Sequence, residues 1–575
     1  MSNPSPTLAA LLSFIFPGLG QIYAKEARRG VIWAIPMLLV IVGIIWLFLG
    51  GTNRLITFVT LDRNQTAVLI FNVAFFLYHV AATVDAYDVA RRDRVVSYSR
   101  ARGAPIALAA IVAVTIVLHG VPEVYGIETH NALADIFVPG GHPEVLQSFH
   151  PDTPNPSYVP PTPNASDIAQ VTAEPTTSSS ETPGASGTPS GSSTPVAART
   201  PLPPIPGFPN GWPQWAQDGR LNLLLVGGDS RSDTGLDAKS LRTDSMILLS
   251  VDIQSGKAAL FSFPRNLCTA TNGSCGDGTR YPAWLKLTLP QEDTQTAQGQ
   301  QAFPDGTFDA SAPGTDGPCS GIQSDGLLTS LWHIAAWCAN LFQGSDGISG
   351  SDCQQQFTCE RAWRALIGTL QIFTGQQIDG VLAVNLNGFV DLVSNLPAQC
   401  PSDTQRFALP STSKCYGGLW LQTDPLVDTA YFDSQQQQIP VNFTSGCFYV
   451  DAEYSLAYAR SRHQDSDYQR ERRQQYVLQQ VRRQLDPLAL LPSIPTLLGV
   501  AQANLFTSLG DSDIGYLAQI ASRVDPLRLY QEDFAPAHVA TLGSMQGIAD
   551  EVTNIFNTPE PQPTPQQQSN NCPPK

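Results

Sequence analysis

Three stretches of nearly unbroken apolar residues, at about 31–49, 67–84 and 104–121, are long enough or nearly so to cross a bilayer as helices. A fourth, 8–23, is shorter and is interrupted by Pro17, Gly18 and Gly20, so it reads as a kinked span or a re-entrant hairpin. The pattern therefore predicts three or four spans within 1–125. Between about 139 and 213 apolar periodicity all but disappears. From 221 the alternation becomes that of a folded domain. L-N-L-L-L-V-G is a buried strand, M-I-L-L-S-V-D a second, and A-A-L-F-S-F a third after the turn Q-S-G-K. Further on, Glu453, Leu456, Ala457 and Arg460 share one i, i+3, i+4, i+7 stripe, and a second helix is expected from about 468.

Composition divides the chain at the same places. The middle segment offers P-D-T-P-N-P, T-P-S-G-S-S-T-P and P-L-P-P-I-P-G-F-P, which cannot bury enough surface to offset the entropy of ordering. It reads as a disordered spacer, assigned to 126–215. About 75 such residues reach roughly 45–50 Å as a coil, enough to tether a domain within a cell wall. The folded outer domain is placed at 216–543 and a disordered tail, rich in Pro and Gln, at 544–575.

Charge sets the orientation. Lys25, Arg28 and Arg29 precede one apolar stretch, and Arg91, Arg92, Arg94, Arg100 and Arg102 lie between the last two. Both basic loops are expected in the cytoplasm, which sends the chain after Gly126 outside. Met1 to Thr7 carries no positive charge, so a cleaved signal peptide is not expected. All ten cysteines fall between Cys268 and Cys572, with no C-x-x-C pair, which fits disulfides formed outside the membrane rather than a zinc site. Their connectivity does not follow from spacing. A net charge of -16, with no extended basic patch, argues against a nucleic-acid partner.

One stretch departs from that acidic balance. Y-A-R-S-R-H-Q-D-S-D-Y-Q-R-E-R-R-Q-Q gathers Arg460, Arg462, Arg470, Arg472 and Arg473. Planar guanidinium groups match phosphate oxygens two at a time, so the cluster suits a compact anion. The alternative is a solvated helix face with internal ion pairs. Upstream, the first strand ends at Gly227, Gly228, Asp229 and Arg231, the second opens at Arg242 and Asp244, and the third ends at Pro264 and Arg265. Ligands collect at strand ends in open α/β sheets. Asp229 and Asp244 could share one hard cation such as Mg²⁺, or serve only as turn residues.

These segments resemble the LytR-CpsA-Psr family in five places and in order: V-G-G-D-S-R; R-T-D-S-M-I-L-L-S-V; F-S-F-P-R-N; G-Q-Q-I-D-G-V-L-A-V-N-L-N-G-F-V-D-L-V-S; and D-A-E-Y-S-L-A-Y-A-R-S-R-H followed by D-Y-Q-R-E-R-R-Q-Q. The resemblance implies an α/β/α sandwich on an all-α transmembrane region. It implies an enzyme, a phosphotransferase that moves a glycopolymer from a polyprenyl-pyrophosphate carrier to a wall acceptor, usually peptidoglycan, with Mg²⁺. Asp229 and Asp244 then match metal-associated acids. Asp229, Asp244, Arg265 and Arg460 are the catalytic candidates, and Arg231, Arg242, Arg462, Arg470, Arg473 and Gln474 the substrate-binding ones. The carrier's tail needs an apolar tunnel, for which Phe389, Leu392 and Val393 are candidates, though such residues are as readily plain core. Separately, L-L-S-F-I-F-P-G-L-G-Q-I-Y resembles small membrane domains with a P-G-L-G-Q-x-Y motif.

The sequence departs from the family at three points. Asn266 stands where the P-R-D acid is usual, and Gln469 where a Gly is usual. A segment assigned to about 268–370 is longer than expected and carries six cysteines. It reads as disulfide-stapled loops over a short helix, L-L-T-S-L-W-H-I-A-A-W, rimming the acceptor site. Rival functions are a binding module that holds lipid-linked glycan without turnover, a transcription attenuator, which the outward topology disfavours, and a pyrophosphatase releasing polyprenyl phosphate to water.

Overall fold

A computed structural model describes residues 4–49, 62–92, 104–138, 213–216, 218–228, 241–267, 327–337, 359–435, 437–461, 466–484 and 493–562, with isolated positions at 141, 146, 281–282, 284–285, 287, 357 and 572. Three helices are long and apolar enough to cross a membrane: 27–47, 65–92 and 105–136 within α3 (Ala27–Leu49), α4 (Asp62–Arg92) and α5 (Ala104–Ile136). The fourth apolar stretch is two short helices, α1 (Pro6–Ile15) and α2 (Leu19–Tyr23). Ten residues of α1 rise only about 15 Å, half a hydrocarbon core.

The P-G-L-G-Q-x-Y stretch supplies the turn after α1, at Pro17 and Gly18, and α2 itself. Gly18 has a left-handed φ of 103°, and a Cβ there would lie 2.2 Å from the Gly30 carbonyl oxygen. Gln21, fully buried, accepts from Ser13 and donates to the Ala82 carbonyl (2.9 Å) and to Asp85 (3.1 Å). Asp85 also accepts from Arg29 and from the Trp33 indole. Five side chains from four helices thus meet at a polar knot, which is how polar groups are tolerated among apolar spans.

The outer domain is α/β. Its main sheet has the order β10-β4-β1-β2-β3-β11, formed by β1 (Arg220–Gly228), β2 (Thr243–Asp252), β3 (Ala258–Phe263), β4 (Gly380–Asn385), β10 (Leu505–Thr507) and β11 (Tyr530–Asp533). Alternation along the strands sends side chains to two faces. Leu224, Val226, Met246, Leu248 and Phe261 enter the main core, against Trp332 of α6 (Leu328–Trp337) and Trp363 of α7 (Glu360–Thr374). Leu221 and Val251 point to the other face, against Ile520 of a helix at Ile514–Arg523. A smaller body follows β4: α8 (Leu386–Ser394), the short strands β5 (Arg406–Phe407), β6 (Gly418–Thr423), β7 (Leu426–Asp428), β8 (Val441–Phe443) and β9 (Gly446–Asp451), then α9 (Ala452–Arg460) and α10 (Asp467–Gln484), around their own core. Disulfides Cys400–Cys415 and Cys447–Cys572 staple this body.

Three sequence boundaries need correction. The spacer assigned from 126 begins inside α5, which continues to Ile136. The tail assigned from 544 begins with a helix, Met545–Asn554, whose Ile548 and Val552 are completely buried in the main core, and Cys572 is tied to Cys447. The short helix expected within a surface rim is core instead: Leu331 and Trp332 are 0% exposed. Of the rest of that insertion, residues 359–370 are the N-cap and start of α7, and the remainder, apart from isolated positions, lies outside the described residues.

The C-terminal helices are joined to β11 by a titratable contact. The His538 Nε2–H donates to the Glu551 carboxylate at 3.0 Å and stands 3.8 Å from Glu532, with Asp533 adjacent. The hydrogen bond to Glu551 raises the His538 pKa; burial, then Glu551, raises that of Glu532. Both groups bind protons more tightly when folded. The contribution of His538 is therefore full below its unfolded pKa of about 6.5 and is lost as pH rises through the folded value. The expected result is a melting-temperature gap between the native protein and His538→Gln that is larger at pH 6 than at pH 8. A gap that grows with pH would contradict this.

Candidate active site

The β1–β2 ladder slips at its end: Gly227 faces Ser245 and Gly228 faces Thr243. Asp244 is the extra residue of this β-bulge, and bulges re-aim side chains beside sites. Its Oδ1 accepts from the Arg265 guanidinium at 2.8 Å and from the Thr329 hydroxyl at 3.2 Å, and its backbone carbonyl accepts from Arg470 at 3.2 Å. Burial alone would push the Asp244 carboxyl up, but Arg265, Arg470 and Arg460 outweigh it and hold the group below the usual carboxylate range.

Each partner arrives on a different element. Arg265 follows the end of β3, and its carbonyl accepts from the Thr329 amide (3.1 Å), which pins the first turn of α6 to the strand end. Arg460 is the last residue of α9, and Arg470 sits on α10, 3% exposed. Gln474, one turn on, accepts from the Ser245 hydroxyl at 2.9 Å. Arg242 is exposed at the mouth. These groups line one end of a cavity of about 670 Å³.

The other end is apolar. Leu225 and Ile247, from the face of the sheet opposite the main core, line it together with Leu382, Val384, Leu386, Phe389, Leu456, Val477 and Leu478. Of the three tunnel candidates Phe389 lines the cavity; Val393 is buried in the smaller core and Leu392 does not line it. Sequence reading missed Tyr431 and Phe432. Tyr431 stands beside Arg460, and burial holds its hydroxyl well above the usual phenol range, so it is a neutral donor at physiological pH. Phe432 is 49% exposed, an aromatic at the cavity that no motif flags.

The structure thus brings Asp244, Arg242, Arg265, Arg460, Arg470 and Gln474 together. It places Arg473 elsewhere. Its guanidinium donates to the Tyr458 carbonyl (2.8 Å) and to that of Ser461, closing the C-terminal end of α9, with its charge over the Tyr458 ring. Asp229, Arg231 and Arg462 lie outside the described residues. Asn266 is 4% exposed, a neutral amide where an acid would carry a buried charge. The arrangement can hold a diphosphate-like anion at its cationic end and an apolar chain along its wall.

A family model described as the LytR_cpsA_psr family matches residues 178–282 and 363–554. Among solved structures, protein gbs0355 from Streptococcus agalactiae is 17% identical, covering 59% of this chain and 90% of that one at a TM-score of 0.35. B. subtilis TagV is 16% identical over 59% and 98%, at 0.32. A structure of TagT bound to LIIa-WTA is 14% identical over 59% and 92%, at 0.31. No curated protein matches the chain.

Proposed function

We propose that this chain, which belongs to the LytR_cpsA_psr family, transfers a glycopolymer from a polyprenyl-pyrophosphate carrier to peptidoglycan outside the membrane. The observation that carries this reading is the two-ended cavity: four arginines and one ionised aspartate at one end, and an apolar wall at the other. A lipid pyrophosphate has the same two ends.

In the reaction the acceptor hydroxyl oxygen bonds to the sugar-side phosphorus, and its proton passes to water or to the departing phosphate oxygen. The bond from that phosphorus to the bridging oxygen breaks, and polyprenyl phosphate leaves. Negative charge builds on the bridging and equatorial oxygens, and arginines fixed at the cavity end stabilise it without reorganising. Arg265 and Arg470 are held in place through Asp244, and Arg460 by its position at a helix end. Tyr431 adds a neutral donor beside Arg460.

Asp244 fits a Mg²⁺ ligand. It is ionised, and among the described residues nothing hydrogen-bonds its Oδ2, so one hard oxygen remains for the ion. Asp244 would hold the metal with Asp229, and the ion would neutralise phosphate charge when bound. The positive charges flanking the spans support a multi-pass protein in the cytoplasmic membrane with the α/β domain outside.

The test follows polyprenyl phosphate release by the full chain in lipid nanodiscs, with and without peptidoglycan fragments. Transfer requires release that rises with acceptor and glycan that appears on the wall fragment. Release to water without glycan on the acceptor would make the protein a pyrophosphatase. Binding without release would make it a carrier-binding module.

A further inference from the structure

The two ends of the Pro/Ser/Thr-rich stretch sit on one patch of the outer domain. Helix α5 leaves the membrane region and packs along a helix at Ile494–Asn504 and against edge strand β10, with the Gln502 amide donating to Asp135 at 2.5 Å. Two positions beyond α5 also meet the domain. Gly141, at a left-handed φ of 69°, lies so close that a Cβ would be 2.4 Å from the Ser508 carbonyl oxygen and 2.9 Å from the Gly510 nitrogen. Leu146 packs against the main core. At the far end the Trp215 indole donates to Asp513 Oδ1 at 2.9 Å, while Asp513 Oδ2 accepts from the Gly510 amide at 2.9 Å. Asp513 therefore connects the place where the chain arrives with the place where it resumes.

We infer that α5, and not the stretch between Leu146 and Pro213, holds the outer domain to the membrane and sets its height. The spacer expected from composition is bypassed. A helix of 33 residues is about 50 Å long, and the hydrocarbon core takes about 30 Å of it. The remaining 20 Å or so carries Glu123, Glu128, His130 and Asp135, which belong outside hydrocarbon. The docking surface is one layer behind the apolar wall of the cavity. Helix Ile494–Asn504 packs on α8, which bears Leu386 and Phe389, and β10 pairs with β4, which bears Leu382 and Val384. Resting on the functional reading above, this puts the cavity at the level where a membrane-borne pyrophosphate lies; the docking itself does not depend on that reading.

The test uses the full chain in membranes, with Asp135→Cys and Gln502→Cys and a protease site inserted between 170 and 195. After mild oxidation and cleavage, the two halves are expected to remain joined in most molecules without reductant and to separate with it. Each single variant should separate in both conditions. Separation of the double variant while both new cysteines still react with a maleimide would overturn the inference. A second variant leaves the dock unaltered and deletes 150–205. It should keep the melting temperature of the outer domain and its release activity within twofold. A fall of tenfold or more in release from a folded deletion variant would show that the stretch itself carries the connection. The crosslink reads docking alone, so its failure is distinct from a failure of the transfer reaction.

Discussion

Replacing Arg265 with alanine is expected to lower polyprenyl phosphate release about 100- to 1,000-fold, the range for removing one donor aimed at developing charge. Three features make the effect large. Arg265 lies 2.8 Å from Asp244 at the cationic end of the cavity and is mostly buried there, at 15% side-chain exposure. It is also one of the charges that keep Asp244 ionised against its own burial, so losing it moves that carboxyl back up. Finally, its backbone carbonyl, which holds the Thr329 amide, survives the substitution, so the strand end and α6 keep their contact. Arg265→Lys keeps the charge but loses the fork of donors, and should recover only part of the rate. The measurement is kcat and kcat/KM for release, with circular dichroism on the same samples. Activity within threefold of native in a folded Arg265→Ala protein would remove this arginine from the reacting centre.

Much of the site was legible because its residues fall at strand and helix ends, where periodicity stops. The run L-N-L-L-L-V-G and the strand after R-T-D-S marked β1 and β2, and the bulge that singles out Asp244 lies where they meet. The bulge itself has no sequence signature beyond the paired glycines. The arginine stretch shows a limit of spacing. Arg470 and Arg473 stand one turn apart on α10, yet Arg470 reaches Asp244 while Arg473 reaches back to the end of α9. Residues three apart differ by about 60° around a helix, so a neighbouring helix end can take one and leave the other. The apolar wall was hidden for another reason. Leu225 and Ile247 belong to strands that read as continuous apolar runs, and such runs do not say which face packs on the core and which lines a cavity. The contact of α5 with Ile494–Asn504 was hidden because composition describes a segment, while this contact joins parts remote in sequence.

A chain ending at Gly543, the boundary suggested by composition, is expected not to hold a stable outer domain. One ending at Gln562 with Cys447→Ser should unfold cooperatively. The helix Met545–Asn554 and the turn after it place Ile548, Val552, Ile555 and Phe556 in the main core, none more than 3% exposed. Burying each fully stabilises by about 1.5–3 kcal/mol, so their removal costs roughly 6–12 kcal/mol. Net stabilities of whole domains are about 5–15 kcal/mol. The truncation also strips a buried cation. Arg220, 0% exposed, donates to the Val552 carbonyl at 2.8 Å and to that of Thr553, and lies 5.1 Å from the centre of the Phe556 ring. Losing these hydrogen bonds to a charged group adds about 1.5–3 kcal/mol to the loss. The Gln562 chain keeps all of that and gives up the Cys447–Cys572 bridge, about 2–4 kcal/mol. Thermal unfolding of the two chains decides the matter. If the Gly543 chain melts within a few degrees of the Gln562 chain, the C-terminal helix is an appendage, and the core is held by α6 and α7 alone.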